Sequence, residues 1–169
     1  MNRLLFLFTF LLGFVACRHE TPDPPAGEKK IYFTGITSVD DVGQALGSAD
    51  PSDWRTDDSW EAQEKSLFPS TALLACNLSD SVQVYQFPNP CRDVFALGFR
   101  TQSGLTWRFR IVDENFKLLR EYDWVQPMPN YNLIQFKTEG FPKDTVRVYY
   151  QAEKAGCIWR GHGDVLVEG

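Results

Sequence analysis

Six aspartates crowd one stretch of this chain: Asp40 and Asp41, then Asp50, Asp53, Asp57 and Asp58. Carboxylates at this density are raw material for a calcium site, which collects about six to eight oxygens. The spacing matches no EF-hand loop, because Pro51 and Trp54 interrupt it. Asx turns and charge at a helix start explain most of these acids without a metal. Two carboxylates of the same loop are also the residues a glycan hydrolase would need. No GxSxG occurs, and no CxxC or HxxxH with zinc-ligand spacing. His19 and His162 are the only histidines, and a single imidazole between Gly161 and Gly163 makes no metal centre. The expectation is a protein without catalytic residues, metal or cofactor. The alternative is a glycan-active hydrolase, or a calcium-dependent glycan binder, working through residues 50–58.

Tryptophan offers a second kind of chemistry, the stacking of a ligand on an aromatic face. Trp54 and Trp60 flank the acidic loop, and Trp159 lies between Ile158 and Arg160 near the Gly-His-Gly turn. These three are the candidate ligand contacts. Large aromatics in a domain of this size are mostly consumed by packing, and Trp107, set among alternating apolar residues, reads as core. Cys76, Cys91 and Cys157 each lie beside a strand-like run, so spacing leaves open which two of them pair.

Such residues need elements to hold them. Ser59 to Phe68 predicts a helix, with Ser59 as cap, Glu61 near the positive dipole end, and Trp60, Glu64, Leu67 and Phe68 on one face. Pro69 stops it. Residues 34–58 show no sustained period. From Thr71 onward short strands alternate with turns, with runs near 71–75, 82–87, 94–100, 105–112, 116–125, 131–138, 145–151 and 157–167. Along Leu105–Val112 the residues Leu105, Trp107, Phe109 and Ile111 point one way, while Thr106, Arg108 and Arg110 point to a solvated face. Such punctuation predicts an all-β fold: an antiparallel Ig-like β-sandwich of seven to nine strands with one short helix at an edge. Its inner faces hold Leu97, Phe99, Trp107, Phe109, Ile111, Val146 and Val148. Thirteen Phe, six Tyr and five Trp supply ample core for one domain.

The net charge of −5, with no run of Lys or Arg, argues against nucleic acid as a partner, since that needs a concentrated basic face. The first seventeen residues speak to location. Arg3 precedes an apolar run from Leu4 to Leu12, and Gly13-Phe14-Val15-Ala16-Cys17 closes it, the layout of a secretory signal. A membrane span needs roughly 20 apolar residues, and Arg18, His19 and Glu20 end this run early. Ala16-Cys17 resembles the lipobox of bacterial lipoproteins, with Phe14 where Leu is usual. The resemblance implies a signal peptide over 1–16, a diacylglyceryl or palmitate anchor on Cys17, and membrane attachment through it. Arg18 to Lys30 is Pro-rich and short of aliphatic residues, which predicts a solvated tether over 17–30. One domain then spans 31–169. Arg18 after the cysteine favours, by analogy with lipoprotein sorting, the outer membrane of a Gram-negative bacterium.

Tyr85-Gln86-Phe87-Pro88-Asn89-Pro90 and the strand-turn-strand from Arg110 to Leu118 resemble the C-terminal sorting domain of proteins exported by type IX secretion. The likeness covers Tyr85 to Leu118, and Asn115-Phe116 stands where that family carries Gly. It implies an Ig-like module from a bacterium with that secretion system. Asp80-Ser81-Val82 and Asp144-Thr145-Val146 resemble the O-glycosylation acceptor of the same lineage, which makes Ser81 and Thr145 candidate sites. Taken together, the expectation is an envelope lipoprotein that binds another envelope protein or a glycan.

Overall fold

The alternation over 105–112 becomes a strand whose Leu105, Trp107, Phe109 and Ile111 are buried to 2% exposure or less. In the computed structural model, which describes residues 30–69, 74–75, 83–101, 104–126 and 130–169, that strand lies inside a two-layer sandwich. The elements run β1 (Arg55–Thr56), α1 (Ala62–Ser66), β2 (Leu74–Ala75), β3 (Gln83–Phe87) and β4 (Val94–Thr101), then β5 (Leu105–Val112) and β6 (Leu118–Gln126). They end with β7 (Asn130–Lys137), β8 (Thr145–Lys154) and β9 (Cys157–Leu166). One sheet has the order β1-β9-β8-β5-β6, with β2 added parallel to β9, and the other is β3-β4-β7. All remaining pairs are antiparallel. The all-β sandwich expected from the strand spacing is the fold.

The inner faces close on aromatic rings. Phe99 of β4 meets Trp107 at 4.8 Å and Phe109 at 5.4 Å between centroids, and Trp107 stacks on Phe109 at 5.7 Å. Leu97, Val146 and Val148 join them, so all seven predicted core residues are buried in one cluster. Burial of this apolar area is the main stabilising term of the domain.

The outer face of the larger sheet departs from expectation. Arg110 is only 5% exposed. Its guanidinium sits over the Phe68 ring, donates to the Leu67 carbonyl at 3.1 Å, and pairs with Asp123 at 2.7 Å. The segment that carries α1 covers this face, and Ile31, Trp60, Phe68, Val112 and Tyr149 make a second apolar cluster there. A strand with one polar side reads as half-solvated; here a non-periodic segment has laid a third layer across it. Ile31–Phe33 adds no strand, although the Ile31 N–H bonds the Glu114 carbonyl at 2.7 Å.

The helix is shorter than predicted. It spans Ala62–Ser66, and its cap is Glu61 instead of Ser59. Glu61 and Glu64 form a reciprocal capping box, in which Glu64 accepts the Glu61 N–H at 2.7 Å. The predicted face still points inward: Trp60 stacks on Phe68 at 5.0 Å, and Glu64 accepts a bond from the Tyr149 hydroxyl at 3.1 Å.

Cysteine pairing is partly resolved. Cys157 is disulfide-bonded, whereas Cys91 is a free thiol at 2% exposure, and its burial pushes its pKa up to about 11. The partner of Cys157 therefore lies outside the described residues, as do Cys17, Cys76 and Ser81. The β2 pairing sets Ala75 opposite Ile158 and Leu74 opposite Cys157, and Cys76 follows Ala75 in the sequence. Non-reducing peptide mapping is expected to recover a Cys76–Cys157 linked peptide. Recovery of Cys157 joined to Cys17 would overturn that pairing.

Candidate functional site

The acidic loop and β9 build one polar pocket on the covered face of the larger sheet. In β9, Gly161 and Gly163 turn toward the core while His162 turns outward, because successive residues of a strand face opposite ways. Gly163 is required by what lies over it: an added Cβ would sit 2.2 Å from the Trp54 indole. Trp54 itself holds a left-handed φ of 52° at the end of the turn that leads into β1. The Tyr150 hydroxyl donates to the Arg55 carbonyl at 2.7 Å. These contacts dock the loop on the sheet and set Asp57 against His162.

His162 Nδ1 and Asp57 Oδ2 share a hydrogen bond of 2.7 Å, with both side chains about nine-tenths buried. Asp57 also accepts the Trp60 indole N–H at 2.9 Å and faces Arg55 at 3.3 Å. Beside them Arg147 clamps Asp164 with two bonds of 2.7 and 2.8 Å. Burial opposes the charge on Arg147, but the bonds and charge of Asp164 hold its pKa above the ordinary value. Tyr149, which meets His162 ring to ring, is pushed up by burial and by the Glu64 charge. Asp57, His162, Arg55, Arg147 and Asp164 line a cavity of about 270 Å³ with Tyr32 and Ser52, and Tyr149 backs it through its contact with His162.

The predicted site residues separate here. Asp57 and Trp60 line the pocket. Asp53 lies beneath it, where one carboxylate oxygen takes the Thr37 N–H at 2.8 Å and the other the Asp164 N–H at 2.7 Å. Burial raises the Asp53 pKa, and those two N–H groups pull it back. Asp50 takes the Ser52 hydroxyl at 2.6 Å and its N–H at 2.8 Å, and Asp58 is exposed. The acids therefore point to different donors, and among the described residues no three His, Cys, Asp or Glu side chains are grouped to hold a metal. Trp159 is 7% exposed in the main core, Trp60 4% in the second cluster, and Trp54 is half-buried over Gly163. Most of their ring surface is spent on packing. Thr145 opens β8 and is buried, with Asp144 accepting its N–H at 2.7 Å.

A second concavity lies on the far side of the molecule, on the outer face of β3-β4-β7. Strand register sets Gln83, Arg100 and Tyr131 in one cross-strand row, and Tyr85, Gly98 and Leu133 in the next. Tyr131 leans diagonally across Gly98, where an added Cβ would fall 2.0 Å from its hydroxyl. Its ring so reaches Tyr85, at 6.4 Å between centroids and 45° between planes. The two rings are 55% and 45% exposed. With Phe87, Arg100, Val42 and Gly43 they line a groove of about 460 Å³, a size typical of small-molecule sites. Leu133 and Val94 extend the exposed apolar surface along the same face.

Neither this groove nor the pocket's Arg55 and Arg147 stood out in the sequence. The signal for the groove was parity: Tyr85 lies out of phase with the inward Val84 and Gln86, which places it outside. No protein-family model matches the chain, and no curated protein or solved structure does either. Fold and sites define an all-β sandwich that carries, among the described residues, a polar pocket on one face and an aromatic groove on the other. Among the described residues no helix is long and apolar enough to cross a membrane.

Proposed function

We propose that this chain is a lipid-anchored envelope lipoprotein. On this reading its sandwich is a non-catalytic module that binds another envelope component, glycan or protein, through the outer face of β3-β4-β7. The observation that carries the binding half is the exposed pair Tyr85 and Tyr131 over Gly98. Neither core cluster of the described residues includes these rings, and an exposed aromatic patch with a polar rim is the ordinary mark of a recognition surface. The anchoring half rests on the apolar run ending in Ala16-Cys17 and on the Pro-rich tether after it.

Two measurements test the halves separately. Metabolic labelling with a fatty-acid analogue is expected to mark the wild-type protein and not Cys17→Ser, and an unlabelled, soluble wild type would end the anchoring proposal. Crosslinking in the native envelope is expected to capture a partner whose yield falls about tenfold in Tyr85→Ala/Tyr131→Ala. Unchanged capture by that variant would move the binding surface elsewhere.

A second reading is favoured by the Asp57–His162 pair in its cavity, a carboxylate and an imidazole in the relation general acid–base chemistry uses. It makes the protein a glycan-active hydrolase. Polysaccharide hydrolysis that Asp57→Asn abolishes would establish it over the binding module.

A further inference from the structure

Arg100 is exposed, lines the aromatic groove, and has no partner among the described residues. The other described arginines are all engaged: Arg55 with Asp57, Arg92 with Glu168, Arg108 with Glu153, Arg110 with Asp123, Arg120 with the Glu139 carbonyl, Arg147 with Asp164, and Arg160 over the Trp60 ring. Arg100 alone among them makes no ion pair, side-chain hydrogen bond or ring contact among the described residues, yet it lines the groove. In a chain of net charge −5, a guanidinium left free in a concave aromatic site is a selective feature. In the loop beside the groove, Asp40 turns one carboxylate oxygen to its own backbone, where Oδ1 accepts the Val42 N–H at 3.0 Å and the Gln44 N–H at 2.8 Å, and no acidic side chain is among the residues that line the groove.

We infer that this groove binds an acidic saccharide, a sugar carrying a carboxylate, with its ring against Tyr85 and Tyr131 and its carboxylate on Arg100. The two rings stand 45° apart, a V that accepts the edge and one face of a ring, whereas a flat protein surface needs a flat platform. The C–H face of a pyranose is apolar and weakly positive, which complements the negative face of a phenol ring. Sugar hydroxyls need polar neighbours, and the rim supplies the Tyr131 and Tyr85 hydroxyls and the side chain of Gln83, to which the Tyr85 hydroxyl donates. Arg100 sits in the same cross-strand row as Tyr131, one row from Tyr85, so ring and carboxylate are met from one strand register. A guanidinium fits a carboxylate through two parallel N–H donors, which selects for the acid over its neutral counterpart.

Gly98 is the device that permits this shape. With any side chain at that position Tyr131 could not lie down toward Tyr85; its hydroxyl end would be pushed off the sheet. Because the obstructed atoms belong to the far end of an exposed side chain, Gly98→Ala disturbs the groove without touching the core.

This inference rests on the binding-module reading, and a titration series read beside the envelope crosslinking tells their failures apart. The full chain, solubilised in detergent, is titrated calorimetrically at low ionic strength with tetragalacturonate and with the same tetrasaccharide after its carboxyls are reduced to alcohols. Wild type is expected to bind the acid at least about tenfold more tightly than the neutral form, the scale of one charge-assisted contact. Arg100→Ala is expected to bind both equally and weakly, and Arg100→Lys to recover part of the difference. Gly98→Ala and Tyr131→Ala are expected to lose both ligands by about tenfold or more while keeping the wild-type melting temperature. Wild type that binds neither sugar, or both equally, overturns the acidic-saccharide assignment. If envelope crosslinking in that case still depends on Tyr85 and Tyr131, the binding module stands with a different partner. If that crosslinking is also unaffected, the saccharide site falls and so does the placement of the binding surface on this face.

Discussion

Asn89→Ala is expected to lower the unfolding free energy by about 3–5 kcal/mol, from the loss of three hydrogen bonds around one buried amide. Asn89 is completely buried. Its Nδ2 donates to the Thr37 and Asp164 carbonyls, each at 3.0 Å, and its Oδ1 accepts the Leu166 N–H at 2.9 Å. Its backbone pairs with Val39 in both directions, at 2.9 and 3.0 Å. The side chain therefore joins three parts of the chain: the N-terminal segment, the Pro-Asn-Pro turn and β9. Truncation strands two carbonyls and one N–H in the interior, each costing about 1–3 kcal/mol when left unpaired. Asn89→Asp should be no better, because it replaces a donor between two carbonyl oxygens with a third oxygen. Domains of this size hold only about 5–15 kcal/mol in all. Urea denaturation at constant slope measures the change, and a loss below about 1 kcal/mol for both variants would refute the hub.

That hub marks the boundary of what local pattern conveys. The sandwich was legible because alternation is a local property: Leu105, Trp107, Phe109 and Ile111 announce their common face without reference to anything distant. The hidden face of the same strand was not. Arg108 and Arg110 alternate with apolar residues in the manner of a wet surface, and only the docking of Leu67 and Phe68, some forty residues earlier, makes Arg110 a buried cation. The segment 34–58 has no period because it is held by individual polar contacts, such as Asp53 accepting two backbone N–H groups.

The candidate sites divide along the same line. Asp57 and His162 stand 105 positions apart in the chain, and nothing in either neighbourhood points to the other. One clue was present: glycines on both sides of His162 inside a strand signal the close approach of another group, and Trp54 is what approaches Gly163. Trp54, Trp60 and Trp159 drew attention as ligand contacts by residue type alone, yet burial is decided by phase and docking. Phase alone would have favoured Tyr85 over Trp159. Arg100 could not have been distinguished by pattern, since what sets it apart is the lack, among the described residues, of a partner that the seven other described arginines have.

Trp107→Ala is expected to cost about 3–5 kcal/mol, the range for emptying a buried aromatic site. Trp107 has no exposed surface and is ringed by Phe99 at 4.8 Å, Phe109 at 5.7 Å and Tyr150 at 6.3 Å. It touches both sheets, so the void would open in the seam between the layers, where neither sheet can collapse without breaking its own ladder. Trp107→Phe separates packing from polarity. Its indole nitrogen is buried and finds no acceptor among the described residues, so phenylalanine removes an unpaired donor while giving up part of the ring volume. These terms oppose each other, the first worth about 1–3 kcal/mol and the second about 1–3 kcal/mol for a partial cavity. The net change for Trp107→Phe should therefore stay within about 2 kcal/mol, well short of the alanine loss. Thermal and urea unfolding of the two variants give the comparison directly. Equal, large losses in both would mean that the indole nitrogen is satisfied after all, and Trp107→Ala as stable as wild type would remove this residue from the seam that holds the two layers together.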